Sequence, residues 1–275
     1  MMLEIKDDAI FIADSHMQNG RDSLLLMLEN ITAIPSQIIL LGDIANILVG
    51  NLKSSLKSNE TFLKALNTLS QKTQIIYFEG NHDFNLTSIL PYATIIPRKK
   101  QPILASFRNK RILLAHGDIF MDKKYEIYIN ALTAEITRIA MQMLDFVTFG
   151  KLYKFIESKV KNKHIKLVRN NKAIRKIIDS RINLYKNYIE SLNINVDMVI
   201  EGHFHLGKII PPNECFDNDS SDFKDFWSSD FNTQNRQNNI NKYDIKKYQF
   251  FYVALPSFYY DECVFKIYEC DFIKI

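Results

Sequence analysis

The chain reads as an α/β protein with a block of helices set into it, and three patterns carry that reading. A short apolar run ending in an acid recurs at 9–14, 37–43 and 73–83, with helical stretches between the copies. Continuous apolar runs bounded by turn signals are the pattern of parallel strands buried on both faces. From Lys123 to about Leu192 the periodicity is helical, with no Pro and few Gly. The last stretch, "YQFFYVALPSFYYDECVFKIYECDFIKI", alternates in the manner of antiparallel strands.

Size and composition agree. A chain of 275 residues suits one large domain with a sizeable insertion. Its 47% hydrophobic and 24% charged residues are ordinary for a soluble globular protein. The formal charge of +4 is mild, and no nucleic-acid partner is expected from it. The N-terminus, "MMLEIKDDAIFIADSH", lacks a basic region followed by an apolar one, and no apolar run approaches the roughly 18 residues that span a bilayer. Three cysteines without metal-site spacing suggest reduced thiols in a cytoplasmic protein.

In chain order, "AIFIAD" is the first strand and "RDSLLLMLENI" the helix after it. "QIILLGD" is the second strand, followed by a helix from roughly Glu60 to Lys72. "TQIIYFEGNHD" is the third, with Gly80 permitting a tight exit. "PILASFRNKRILLAHGD" (102–118) reads as a hairpin turning at "RNKR". Two to four helices follow, apolar nearly all round in "YEIYINALTAEITRIAMQMLDFVTF" and basic in "KLYKFIESKVKNKHIKLVRNNKAIRK". "VDMVIEGHFH" (196–205) returns to strand. Residues 213–247 are polar and poor in aliphatics, as in a long loop. The expected organisation is a single domain over 1–275, with a helical insertion at about 122–194 and a polar loop insertion at about 213–247.

Five of the six histidines fall just past a strand end: His16, His82, His116, His203 and His205. Core histidines would scatter through apolar faces, whereas strand ends of such a sheet converge on one edge. The strand ends are "DSH" (Asp14, His16), "GD" (Asp43), "GNHD" (Asn81, His82, Asp83), "HGD" (His116) and "GHFH" (His203, His205). Carboxylate, imidazole and one carboxamide make a ligand set for Mn, Fe or Zn rather than an all-oxygen cage for Mg or Ca. Asp14, His16, Asp43, Asn81, His116, His203 and His205 are too many for one ion with open positions. Two ions sharing a carboxylate would use them, and such a pair can activate water and clamp a phosphoryl group.

The ordered set DxH, GD, GNHD, H, GHxH resembles the calcineurin-like metallophosphoesterase family. The resemblance implies one metallophosphoesterase domain, a four-layer α-β-β-α sandwich of two mixed sheets with a helical cap. It implies two divalent metal ions, Mn2+ first and Fe or Zn as alternatives. Asp14, His16 and His205 would hold one ion, Asn81, His116 and His203 the other, and Asp43 would bridge them. His82 would meet the phosphate as a catalytic residue, and Asp83 would orient it. The family usually has a second acid in GDxxD, where this chain has Asn46 in "GDIAN".

Within that family, "AHGDIFMDKKY" and the helical insertion after it are similar to the UDP-2,3-diacylglucosamine pyrophosphatases of lipid A synthesis. That group often carries Arg where His82 stands. The likeness implies hydrolysis of the pyrophosphate to UMP and 2,3-diacylglucosamine 1-phosphate, and at most peripheral contact with the inner membrane. A lipid-linked nucleotide needs a greasy slot and cations for its diphosphate. Asn81, Lys161, Lys163, His164, Lys166 and Arg169 are the candidate substrate contacts. The alternative is a nucleotide phosphodiesterase or phosphatase acting on a small soluble substrate. The segment "VALPSF" (253–258) is expected to close the second sheet, and the aromatic tail to be core.

Overall fold

The computed structural model describes residues 2–17, 23–161, 167–212 and 249–274. Its strands are β1 (Leu3–Glu4), β2 (Ile10–Ile12), β3 (Gln37–Leu41), β4 (Leu48–Val49), β5 (Gln74–Phe78), β6 (Asp83–Phe84), β7 (Thr94–Ile96), β8 (Ile103–Phe107), β9 (Lys110–Ala115), β10 (Met198–Glu201), β11 (Lys208–Ile210), β12 (Phe251–Ala254), β13 (Cys263–Lys266) and β14 (Asp271–Lys274). Its longer helices are α1 (Ser23–Asn30), α2 (Lys53–Ser58), α3 (Glu60–Leu69), α4 (Lys123–Thr133), α5 (Glu135–Val147), α6 (Lys151–Lys161) and α7 (Asn171–Leu192). None of the described helices is long and apolar enough to cross a membrane. The polar insertion, with Cys215 and Trp227, lies outside the described residues, as do Lys163, His164 and Lys166.

Two six-stranded sheets face each other. One runs β14-β13-β2-β3-β5-β7, the other β1-β8-β9-β10-β12-β11. Alternation along each strand divides its side chains between two faces. Ile39 and Leu41 of β3 join Leu114 of β9 and Ile200 of β10 in the core between the sheets. Ile38 and Leu40 point the other way, onto Leu24 and Leu28 of α1 and Phe62 and Leu66 of α3. On the far side, Leu113 and Val199 pack against Ile178, Ile182, Tyr185 and Ile189 of α7. These apolar positions of α7 recur every three or four residues, the spacing of one helical face. Asn170 caps its start by accepting from the Ala173 N–H, and Asn193 ends it in a left-handed conformation. The result is the expected α-β-β-α sandwich of two mixed sheets.

Several expectations need correction. The 123–192 stretch divides in two: α7 is the outer layer of the second sheet, and only α4–α6 stand apart from the sandwich. Those three rest on the small ribbon formed by β4 and β6, where Tyr153 packs with Val49, Leu52 and Phe84. Local periodicity is the same for a helix in either place. The tail is not uniformly antiparallel either, since β12 runs parallel to β10. It lies between β10 and β11, so the short strand β11 closes that edge. The chain then crosses to the first sheet, where β13 pairs antiparallel with β2. Phe250, Phe251, Tyr252, Phe258 and Phe265 of the tail are buried, as expected of core, while Tyr259, Tyr260 and Tyr268 are exposed.

Candidate metal centre

Parallel register brings the polar strand ends level. β2, β3 and β5 align as neighbours in the first sheet, and Glu201 of β10 sits beside Ala115 of β9 in the second. Asp14, His16, Asp43, Asn81, His82, His116, His203 and His205 follow directly from those ends. Three groups have ligating atoms all within 4.8 Å of one another: Asp14, His16 and His205; Asp43, His116 and His203; and His16, Asp43 and His82. Asp43 therefore belongs to the neighbourhood of both outer groups. His16 Nε2 and His205 Nε2 lie 3.5 Å apart, and His205 Nε2 is 3.2 Å from Asp14 Oδ1.

Aiming these side chains strains the backbone. Asp14, His16, Asp43, His203 and His205 all have positive φ, between 42° and 66°. Non-glycine residues seldom adopt that region, and such strain gathers at functional sites. Two glycines give room for close approach. A Cβ on Gly42, whose φ is +78°, would stand 2.5 Å from the His116 ring. One on Gly80 would stand 2.3 Å from Asp43 Oδ1. Gly80 thus serves to let a carboxylate close in, rather than to supply a turn.

A divalent cation suits this donor set. Asn81 Oδ1 is buried with no hydrogen-bond partner among the described residues, and the buried Asp14 Oδ1 and His116 Nε2 meet only other would-be ligands, His205 Nε2 at 3.2 Å and Asp43 Oδ1 at 3.5 Å. Orphaned acceptors gathered in one place are costly unless a cation or ordered donor meets them. His116 Nδ1 lies 2.8 Å from the Leu41 carbonyl oxygen. A carbonyl only accepts, so Nδ1 carries a proton and Nε2 is the nitrogen that faces Asp43 and would meet an ion. Burial holds His16 and His203 down at about 4, so both are neutral near pH 7. Burial opposes the charges of Asp14 and Asp43, but His205 beside the first and His116 beside the second keep them below the usual carboxylate range.

His82 stands slightly apart, half-buried, with its ring 5.0 Å from that of His16 in an edge-on contact. Its backbone N–H donates to Asp43 Oδ1. Its Nδ1 lies 2.6 Å from the Asn46 carbonyl oxygen, which fixes the tautomer and leaves Nε2 for a ligand. The expectation that Asp83 orients His82 is therefore corrected. Asp83 is wholly buried and accepts from the backbone N–H groups of Asp43, Ile44 and Gly80 and from the Tyr77 hydroxyl. It braces the loop that carries Asp43, and a carbonyl from the "GDIAN" stretch takes the role given to it. No side-chain pattern in a sequence announces a backbone acceptor.

Of the expected substrate contacts, Asn81 precedes His82 in the loop after β5, with its Oδ1 buried, and Lys161 lines a cleft of about 170 Å3 bounded also by Met17 and Asn46. Met17, Asn46, Ile47 and Asn59 form one wall of the cleft, and Lys154, Glu157, Ser158 and Lys161 of α6 the other. Lys154 escaped notice because one lysine among many in a basic stretch carries no distinguishing signal. Arg169 is exposed just before α7, outside the cleft.

The family model described as calcineurin-like phosphoesterase matches residues 9–207, a span that holds all five motifs. A UDP-2,3-diacylglucosamine hydrolase from Psychromonas ingrahamii is 24% identical over 204 residues, covering 71% of this chain and 80% of that protein. Among solved structures, a protein of unknown function from Aquifex aeolicus aligns with a TM-score of 0.34 and 16% identity, over 73% of this chain and 80% of that one. A nuclease from Pseudomonas putida aligns with a TM-score of 0.25 and 18% identity, over 34% of this chain and 48% of that one.

Proposed function

From a chain that belongs to the calcineurin-like phosphoesterase family, and is thus a metal-dependent phosphoester hydrolase, we infer a substrate that is a lipid-linked nucleotide: UDP-2,3-diacylglucosamine, cleaved at its pyrophosphate to UMP and 2,3-diacylglucosamine 1-phosphate. One observation carries the choice. Beside the cluster stands a set of helices that leaves its apolar side chains in solvent: Ile136 is 79% exposed, Phe146 76% and Phe149 88%. Exposed apolar surface on this scale marks a binding surface for something apolar. The name of the relative from Psychromonas ingrahamii points the same way.

The residues divide the work as follows. Asp14, His16 and His205 would hold one divalent ion, Asn81, His116 and His203 a second, and Asp43 stands close enough to serve either group. Mn2+ is the metal we assign, because the set mixes imidazole with carboxylate and carboxamide. Two such ions, when bound, supply Lewis acidity and an activated water. His82 offers Nε2 to the phosphate, either to steady its charge or to protonate the leaving oxygen. Lys154 and Lys161 face the cleft beside Asn46 and are the cations for the diphosphate. The exposed face of α4–α6, with Lys151 and Lys159 nearby, lies against the anionic inner leaflet of the membrane while the acyl chains enter.

A panel of substrates with Mn2+ present tests this reading. Hydrolysis should be fast with the diacylated nucleotide sugar and at least about tenfold slower once the acyl chains are removed. Equal turnover of bis-p-nitrophenyl phosphate and the lipid nucleotide would overturn it. A soluble nucleotide diester or monoester is then the better reading, one that His82 in place of an arginine already favours.

A further inference from the structure

The ligand histidines of the second sheet lie on two separate loops, one after β9 and one after β10. His116 begins the first, and His203 and His205 the second. A direct backbone bond joins them, from Gly202 N–H to the His116 carbonyl, 2.7 Å long. A buried side chain from outside the cluster joins them a second time. Arg181 of α7 donates through Nε and Nη2 to the two carboxylate oxygens of Glu201, at 2.9 and 2.7 Å. Its Nη1 donates to the Ile119 carbonyl oxygen at 2.8 Å. Glu201 precedes His203 by two residues, and Ile119 follows His116 by three. The guanidinium also lies 5.1 Å from the Phe204 ring, which in turn meets the His203 ring edge-on at 5.0 Å.

Nothing in this arrangement touches the ligating atoms, and it is nearly sealed from water. Arg181 is 3% exposed and Glu201 is fully buried. The hydroxyls of Tyr185 and Tyr252 complete the Glu201 carboxylate, one on each oxygen. A buried ion pair is a poor source of net stability, because desolvation offsets most of its attraction and apolar replacements often do as well. It is a good source of direction: a guanidinium fork fixes two partners at set angles. Here the fork grips one loop by a side chain, the other by a carbonyl, and the intervening His203 by way of Phe204.

We propose that Arg181 is a positioning residue that sets the separation of His116 and His203, and with it the affinity for the ion those two histidines share with Asn81 and Asp43. This rests on the ligand assignment above and not on the substrate. It also makes α7, at the outer layer of the sandwich, part of the apparatus that tunes the metal pair. Partners of this kind behind metal ligands commonly govern affinity by about 10–100-fold.

The test compares wild type with two variants by Mn2+ calorimetry, by the thermal midpoint without metal, and by bis-p-nitrophenyl phosphate hydrolysis as Mn2+ is raised. The double variant Arg181→Met/Glu201→Gln removes both charges together, so neither is left buried and alone. Its metal-free midpoint should stay close to wild type, while one of two Mn2+ sites weakens by about tenfold or more and hydrolysis recovers at high Mn2+. Arg181→Lys keeps the charge pair but loses the fork, and should show the same weakening if the double variant fails to fold. A lowered midpoint with both Mn2+ affinities unchanged would make the pair a purely structural contact and overturn the proposal. Wild type that binds no divalent metal would instead overturn the ligand assignment beneath it.

Discussion

Asp14, Asp43 and His116 are almost wholly buried, while Phe146 of α5 and Phe149 in the turn before α6 stand 76% and 88% exposed. The strand ends put polar groups where apolar ones belong, and α4–α6 do the reverse. Each departure costs stability unless a ligand answers it. At the strand ends bonds to backbone carbonyls meet part of the cost, and the donor set there suits divalent cations. On the helices the proposed acyl chains would meet it. The difference is also one of rigidity. The strand ends are fixed by sheet register on both sides, whereas α4–α6 touch the sandwich through a small ribbon and a few polar contacts, such as Ser54 N–H to Asp145 and the Tyr153 hydroxyl to the Ile47 carbonyl. The candidate ligands thus sit on the stiff part, and the apolar recognition proposed above would fall to the part held by fewer contacts.

The largest effect should come from Asp43→Ala. A residue near both groups of ligands serves both ions, so elemental analysis should find metal lost from each site and hydrolysis should fall by more than about 10³-fold. Retention of both ions would remove Asp43 from its bridging place. His82→Ala should keep the metal and slow turnover by about 10²–10⁴-fold. An emptied site in that variant would mean that His82 is a ligand, as its closeness to His16 and Asp43 allows.

Acid offers a third way to separate the regions. Burial holds His16 and His203 at about 4, below their ordinary 6.5. A base with a depressed folded value stabilises the fold fully above its unfolded value, and that contribution is lost as the pH falls through the folded one. Urea midpoints of metal-free protein should therefore drop from about pH 6.5 towards 4, and Mn2+ should leave over the same window. Asp83, which burial and the Asp43 charge push up to about 7, works against that slope, so midpoints that rise on acidification would show that these imidazoles are not buried neutral. The helices should behave differently. Phe146→Ser with Phe149→Ser should weaken sedimentation with anionic vesicles about tenfold while moving stability by less than about 0.5 kcal/mol, because neither ring is buried. An unchanged vesicle affinity would leave that apolar face to another partner, such as a second copy of the chain, which light scattering would detect. The smallest effect belongs to Asp122→Ala. Asp122 accepts from the Lys124 and Tyr125 N–H groups at the start of α4, and its loss should lower stability by about 1 kcal/mol in a thermal melt.

The same contrast explains what could be read from the sequence. The strand ends were legible because each continuous apolar run stops at an unusual polar side chain, and the same ending recurs along the chain. Asp83 was misread because adjacency in sequence to His82 suggested contact, yet neighbouring residues of an extended segment point to opposite sides. Asn46 was judged by its side chain when its carbonyl is the functional atom. For α7, amphipathic periodicity shows that a face will be buried but not against which layer. The strands β4, β6 and β11 have two or three residues each, too few for a pattern. The union of β13 with β2 joins residues some 250 positions apart, and no local signal encodes it.

That last pairing has a consequence for how the protein is made. β2 delivers Asp14 and His16, and its neighbour on one side, β13, lies near the other end of the chain. A growing polypeptide emerging from the ribosome has every candidate ligand by residue 205 but still lacks the strand that shields the flank of the first one. During that interval β2 has an open edge, and edges invite misassembly. The flank of β2 can be covered only once β13, up to Lys266, is available to pair with it, and a chain truncated before that point would carry every candidate ligand beside an unpaired edge.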